Sequence, residues 1–286
     1  MIVIRTVAEL RKAVGAARVG GARVGLVPTM GAFHEGHVSL MRRARERCGF
    51  VIVTLFVNPT QFNDPADLAR YPRDEARDAA LAATAGADVL FAPAVGEVYP
   101  EGFSTTIEVR GISAPLEGVV RGPEHFRGVA TVVTKLFNMA QPDEAFFGQK
   151  DAQQALLIRR MVRDLDIRIG VEVCPTVREA DGLAMSSRNA LLTDEDRKRA
   201  PAIAQALFAV ADAVARGERD TARALRAGMP ALTAARIEPE YFAAVSTDRL
   251  EPVTTIDGET LIAFAARLGR IRLIDNVIVT PSERNA

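Results

Sequence analysis

Lysine is scarce in this chain: Lys12, Lys135, Lys150 and Lys198 are all it has, and every other strongly basic side chain is arginine. Its 36 basic residues balance 36 acidic ones at a formal net charge of zero. That balance excludes the broad basic field with which a protein holds a nucleic-acid backbone. Histidine occurs three times, at His34, His37 and His125, so a three-imidazole zinc site would consume all of them. The two cysteines, Cys48 and Cys174, sit in apolar surroundings and suit buried thiols of a reducing compartment. The longest apolar run, near residues 50–57, is far too short to span a bilayer, and the start of the chain lacks a secretory leader pattern. A cytoplasmic location without membrane association is expected. No Walker A or Gly-x-Gly-x-x-Gly word is present, nor a Ser-His-Asp or Cys-His signature. Phosphate must be held differently from P-loop and dinucleotide enzymes, and no protein nucleophile is indicated.

What the chain does have is length and apolar content. With 286 residues, 48% of them apolar, it can bury a sizeable core, and near this length single cores tend to divide in two. Strand-like runs fall at residues 2–5, 24–27, 50–57, 87–91, 105–109, 144–147 and 167–174. Thr6 and Glu9 form a capping-box signature for a helix after the first run. Helical patterns lie at 74–85, closed by Gly86, at 130–140 and at 150–165. This alternation predicts an α/β fold with a doubly wound parallel sheet, Rossmann-like, whose ligands bind above the strand C-termini. After Asn189 the texture changes. Thr193 caps an alanine-rich helix over about 194–216, a second begins at Thr221, and strand candidates follow at 241–245, 261–265 and 273–279. The expected organisation is a Rossmann-like domain over residues 1–176 and a smaller α+β domain over 177–286.

Three words carry the chemistry. Pro28-Thr29-Met30-Gly31-Ala32-Phe33-His34-Glu35-Gly36-His37 follows the run at 24–27 and opens a helix with apolar positions Val38, Met41, Ala44 and Cys48. A helix N-terminus presents backbone N–H groups and its positive dipole end, which favour phosphate, and Gly31 and Gly36 let a ligand approach the backbone. His34 and His37, three apart, can share a face and donate hydrogen bonds to phosphate oxygens as charge builds. Phe147-Gly148-Gln149-Lys150-Asp151 adds a lysine, and Met185-Ser186-Ser187-Arg188 offers two hydroxyls and a guanidinium. Together the words describe a pocket for a nucleoside triphosphate attacked at phosphorus. Plainer readings stand beside this one: His34 as a satisfied loop histidine, or the histidines as metal ligands. The His-Glu-Gly-His spacing is one residue short of the zincin helix.

These words resemble the pantothenate synthetase (pantoate–β-alanine ligase) family. The resemblance continues through Phe56-Val57-Asn58-Pro59-Thr60-Gln61-Phe62, Tyr71-Pro72-Arg73, His125-Phe126-Arg127-Gly128-Val129 and Gln154. It extends from Cys174-Pro175-Thr176-Val177-Arg178-Glu179 to Asn189, covering most of residues 1–190 in the family's order. It implies that pantoate, ATP and β-alanine are joined through a pantoyl adenylate, with release of pyrophosphate and then AMP. The implied ATP contacts are Met30, Gly31, Ala32, Phe33, His34, Glu35, Gly36 and His37, then Gly148, Gln149, Lys150 and Asp151, then Val177, Met185, Ser186, Ser187 and Arg188. Of these, His34, His37 and Lys150 are the implied catalytic residues, with His37 matching the family's proton donor. Gln61, Gln154, Asn58 and His125 are the implied substrate contacts, with Val132, Val133 and Phe62 as apolar neighbours. The valines equally fit an ordinary helix core stripe. Mg2+ accompanies ATP, with Asp78 its candidate carboxylate partner, and no permanently bound cofactor is implied. The smaller domain would act as a lid, and the chain would form a homodimer. One departure stands out. The family reads Arg-Pro-x-His-Phe, whereas this chain reads Arg121-Gly122-Pro123-Glu124-His125-Phe126, so either Gly122 is an insertion absorbed by a turn or Arg121 is displaced.

Other classes make different demands. A dinucleotide-forming adenylyltransferase would share His-x-Gly-His but not the Gln61 and Gln154 words. A metal-dependent hydrolase would need bound metal. A nucleotide-binding regulatory module would bind ATP without releasing pyrophosphate.

Overall fold

In the computed structural model, which describes residues 1–281, six parallel strands organise the first part of the chain. They are β1 (Ile2–Ile4), β2 (Val24–Val27), β3 (Phe50–Thr54), β4 (Val89–Phe91), β5 (Glu144–Gly148) and β6 (Gly170–Cys174). Their spatial order is β1-β4-β3-β2-β5-β6. The connecting helices are α1 (Val7–Val19), α2 (Glu35–Arg47), α3 (Pro65–Arg70), α4 (Glu75–Thr84), α5 (Val95–Val98), α6 (Glu117–Ala140) and α7 (Ala152–Asp164). All four residues of β2 are buried, as a central parallel strand covered on both faces requires. Val27, Val51, Val53 and Phe146 from the sheet share one core with Val38, Met41 and Ala44 of α2. The Thr6–Glu9 capping box forms, a device worth about 1 kcal/mol.

The order of the sheet reverses at β2. From there β3 and β4 build outwards on one side, β5 and β6 on the other. In an open parallel sheet the crevice outside the strand C-termini at such a reversal is where ligands bind. The words at 28–37 and 147–151 begin at the C-terminal ends of these two neighbouring strands.

Several expected elements are altered. Residues 105–109 form no strand: the Ile107 N–H donates to the Thr131 hydroxyl of α6 at 2.9 Å, so the segment lies along a helix rather than joining a ladder. The run at 50–57 keeps strand geometry only as far as Thr54. The helix expected at 130–140 begins earlier, just after Gly122, whose non-helical backbone (φ +75°, ψ 166°) separates it from a short helical stretch that starts at Glu117. The Gly122-Pro123 pair is the break itself, as glycine followed by proline leads one to expect. Arg121, just before the break, is committed to Glu117 at 2.8 Å. The helix expected from residue 150 starts at Ala152 after a 3₁₀ turn, Gln149–Asp151.

Contacts divide the described chain into two units. Met1–Gln149 groups with Gln153–Pro175, and Lys150–Ala152 groups with the part from Thr176 onward. The second unit holds α8 (Asp194–Arg199), α9 (Ala202–Ala215) and α10 (Thr221–Ala234), with strands β7 (Pro239–Ser246), β8 (Thr260–Leu268) and β9 (Ile271–Val279). These three strands form an antiparallel sheet in sequence order. Ile203, Leu207, Val210 and Val214 of α9 pack on Ile262 and Phe264 of β8 and Leu273 of β9. The single helix expected over 194–216 is split, since Pro201 supplies no N–H and restricts Ala200. Among the described residues no helix is long and apolar enough to cross a membrane.

Candidate active site

The first word is held from both ends. Gly31 (φ +94°) and Ala32 (φ +54°) both lie in the left-handed region, a conformation that persists only where its surroundings impose it. The imposing group is Asp78. Its carboxylate accepts the Ala32 N–H at 2.7 Å and the Phe33 N–H at 2.8 Å, and the residue has no exposed surface. A Cβ on Gly31 would come within 2.6 Å of Leu55 and 3.0 Å of an Asp78 oxygen, so nothing larger fits. Asp78 is thus enclosed as a loop anchor, each of its two carboxylate oxygens engaged by a backbone N–H.

His34 is the N-cap of α2. Its Nδ1 accepts the Gly36 N–H at 3.1 Å, and the Nδ1 of His37 accepts the His34 N–H at 3.4 Å. The two rings stand 4.3 Å apart at 45°. An Nδ1 that accepts a hydrogen bond places the proton of the neutral ring on Nε2. Both imidazoles therefore carry a donor nitrogen, the tautomer suited to phosphate oxygens. Glu35 pairs with Arg42 along the same helix.

A second cluster brings together residues from four segments. The Nδ2 of buried Asn58 donates to Gln61 Oε1 at 3.0 Å and to the Gly128 carbonyl at 3.2 Å. His125 Nδ1 lies 2.8 Å from the Gln61 carbonyl, and Gln61 Nε2 lies 3.1 Å from the sulfur of Met30. With its oxygen engaged by Asn58, Gln61 offers the donor end of its amide. Tyr99, absent from the sequence reading, donates its hydroxyl hydrogen to Asn58 Oδ1 at 2.8 Å. Burial pushes the Tyr99 hydroxyl above its ordinary range, which keeps it a donor at neutral pH. Beneath it, the Lys135 ammonium sits 4.4 Å from the Phe103 ring centre and 5.8 Å from that of Tyr99, and desolvation lowers its pKa. No local spacing signals this pair.

Gln154 shares no hydrogen bond with that cluster: it is half-buried, and its side-chain amide has no hydrogen-bond partner among the described residues. Its neighbour Gln153 is the structural glutamine, accepting the Glu117 N–H and donating to the carbonyls of Ile112 and Pro115. Val132 and Val133 are both buried in α6, in keeping with the core reading.

In the second unit, Lys150 lies in the 3₁₀ turn with its side chain 20% exposed and its ammonium 3.7 Å from Asp151. Val177 and Met185 are joined across a small hairpin by a bond from the Met185 N–H to the Val177 carbonyl, 2.9 Å. The Ser186 hydroxyl oxygen accepts the Arg188 N–H and so caps a 3₁₀ turn, Ser187–Leu191. Ser187 and Arg188 are exposed, and the Arg188 guanidinium has no partner among the described residues. Both cysteines are free and buried, and burial pushes the Cys174 thiol up to about 12. Among the described residues no three His, Cys, Asp or Glu side chains cluster so as to hold a metal.

A parallel sheet whose reversal point carries His-x-Gly-His at a helix N-terminus is the arrangement of an α/β nucleotide-binding enzyme. The chain belongs to the pantoate–β-alanine ligase family: the family model described as Pantoate-beta-alanine ligase matches residues 2–278. A pantothenate synthetase of Cereibacter sphaeroides is 54% identical over 97% of this chain and 99% of its own length. Another from Moorella thermoacetica is 52% identical over 98% of this chain and 99% of its own length. The pantothenate synthetase structure from Thermus thermophilus superposes with a TM-score of 0.91 at 48% identity, over 98% of this chain and all of that one. A pantoate-β-alanine ligase structure from Francisella tularensis, described as complexed with beta-gamma ATP and β-alanine, gives a TM-score of 0.78 at 34% identity. It is covered over 97% of both chains.

Proposed function

We propose that this chain condenses pantoate with β-alanine at the expense of ATP, through a pantoyl adenylate, releasing pyrophosphate and then AMP. A carboxylate resists attack by an amine because its leaving group would be oxide, and adenylation replaces that oxide with AMP. The protein must then align carboxylate and α-phosphorus and offset charge on the five-coordinate phosphorus and the departing pyrophosphate. His34 and His37 donate from Nε2 to phosphate oxygens. Lys150 supplies a compact positive charge, Ser186 and Ser187 supply hydroxyl donors, and Arg188 a fork for phosphate oxygens. Met30, Gly148, Asp151, Val177 and Met185 border the adenosine. Magnesium enters with ATP and screens the charge of its phosphates. Gln61 and Gln154 bind pantoate, with Asn58 and His125 acting on Gln61, while Arg121 is given no role towards β-alanine. The enzyme works in the cytoplasm as a homodimer, with 177–286 as its lid domain.

The observation that carries this reading is the His34–His37 pair, pinned at Nδ1 at the start of α2, in a chain whose family match runs nearly end to end. It is tested by following pyrophosphate release from ATP. Release requires pantoate but not β-alanine, because adenylation precedes arrival of the amine. Release with β-alanine alone would refute that order.

A further inference from the structure

Two neighbouring residues of β9 tie the lysine word to the rest of its unit. The Nδ2 of Asn276 donates to the Lys150 carbonyl at 3.0 Å, and Asn276 is only 3% exposed. The N–H of Asn276 in turn donates to Asp275 Oδ1 at 2.7 Å. Asp275 receives both prongs of the Arg178 guanidinium, at 2.6 and 3.0 Å, and Arg178 also donates to the Gly182 carbonyl at 3.0 Å. Pairing with Ala263 and Phe264 on the central strand β8 fixes the two β9 residues in register.

Burying an amide, a carboxylate and a guanidinium side by side is costly, and apolar residues of similar volume would hold a small sheet at least as well. What an apolar residue at 276 would not supply is a donor for the Lys150 carbonyl. A three-residue 3₁₀ turn has few hydrogen bonds of its own, so its orientation depends on what grips its backbone. We infer that Asn276 is a positioning residue for Lys150: its side-chain amide fixes the backbone point from which the ammonium is projected. This rests on the phosphate role of Lys150 proposed above.

The test uses the full chain in four forms: unaltered, Lys150→Ala, Asn276→Asp and the double variant. Aspartate keeps the shape of asparagine and removes the donor. Pantoate-dependent pyrophosphate release gives kcat and the KM for pantoate, and thermal melting reports the fold. Asn276→Asp lowers kcat about 10- to 100-fold in the unaltered background, the scale expected of a displaced catalytic group, with KM for pantoate within about twofold. In the Lys150→Ala background it lowers kcat by less than about threefold, since groups acting through one another are not additive. Equal fold losses in both backgrounds overturn the inference and leave Asn276 a support of the fold. So does a normal rate for Asn276→Asp beside a crippled Lys150→Ala. A normal rate for Lys150→Ala overturns the role of the lysine itself, and the inference with it. Should Asn276→Asp melt below the assay temperature, Asn276→Ala, which introduces no charge, is read in the same way.

Discussion

Replacing Lys150 with alanine lowers turnover by about two to three orders of magnitude, the cost of losing a preorganised charge at a developing oxyanion. The fold survives the change. The side chain is 20% exposed and its acidic neighbour, Asp151, stands 3.7 Å away and half in solvent. Surface pairs of this kind contribute about 0–1 kcal/mol, so the melting temperature barely moves. Arginine is not an equivalent replacement, because its planar fork spreads the charge that the compact ammonium concentrates. Steady-state kcat beside a thermal melt separates the outcomes, and a near-normal rate would remove Lys150 from the reaction.

Asp78→Ala has the largest expected effect on the molecule as a whole. It leaves the N–H groups of Ala32 and Phe33 buried without acceptors, at about 1–3 kcal/mol each. It also releases two consecutive left-handed residues, Gly31 and Ala32, from the group that holds them. A destabilisation of about 3–5 kcal/mol follows, within the range of buried polar networks broken on one side. His34 begins α2 two residues beyond Ala32, so the imidazoles shift with the loop. A displacement of about 1 Å costs on the order of a hundredfold in rate. Chemical denaturation and kcat measured at low temperature check both effects. An unchanged midpoint together with an unchanged rate would contradict the anchoring role.

The sequence was most readable where local rules and tertiary demands agree. Val24–Val27 followed by a glycine-bearing word could hardly be anything but a buried strand turning into a helix, and the structure has β2 and α2 there. The three strands of the second unit were legible for the same reason, each carrying a stretch of apolar residues. Legibility failed where a partner is distant. Asp78 lies more than forty residues from the backbone it holds, and nothing near it in sequence separates a loop anchor from a metal ligand. Tyr99 and Asn276 were silent for the same reason: each hydrogen-bonds to a segment remote in sequence. Gln153 and Gln154 show the limit at closest range. One helical step of about 100° puts the first into the Ile112–Glu117 loop and leaves the second without a partner among the described residues. The run at 105–109 alternates like a strand, yet its backbone is spoken for by Thr131.

In the proposed reaction the carboxylate of pantoate attacks the α-phosphorus of ATP before the amine arrives. That attack is tested most directly by running the reaction with pantoate carrying oxygen-18 in both carboxylate oxygens and analysing the products by mass spectrometry. One labelled oxygen in AMP, the other in the amide carbonyl of the product and none in pyrophosphate is the predicted pattern. Label in pyrophosphate or inorganic phosphate, with unlabelled AMP, would contradict it.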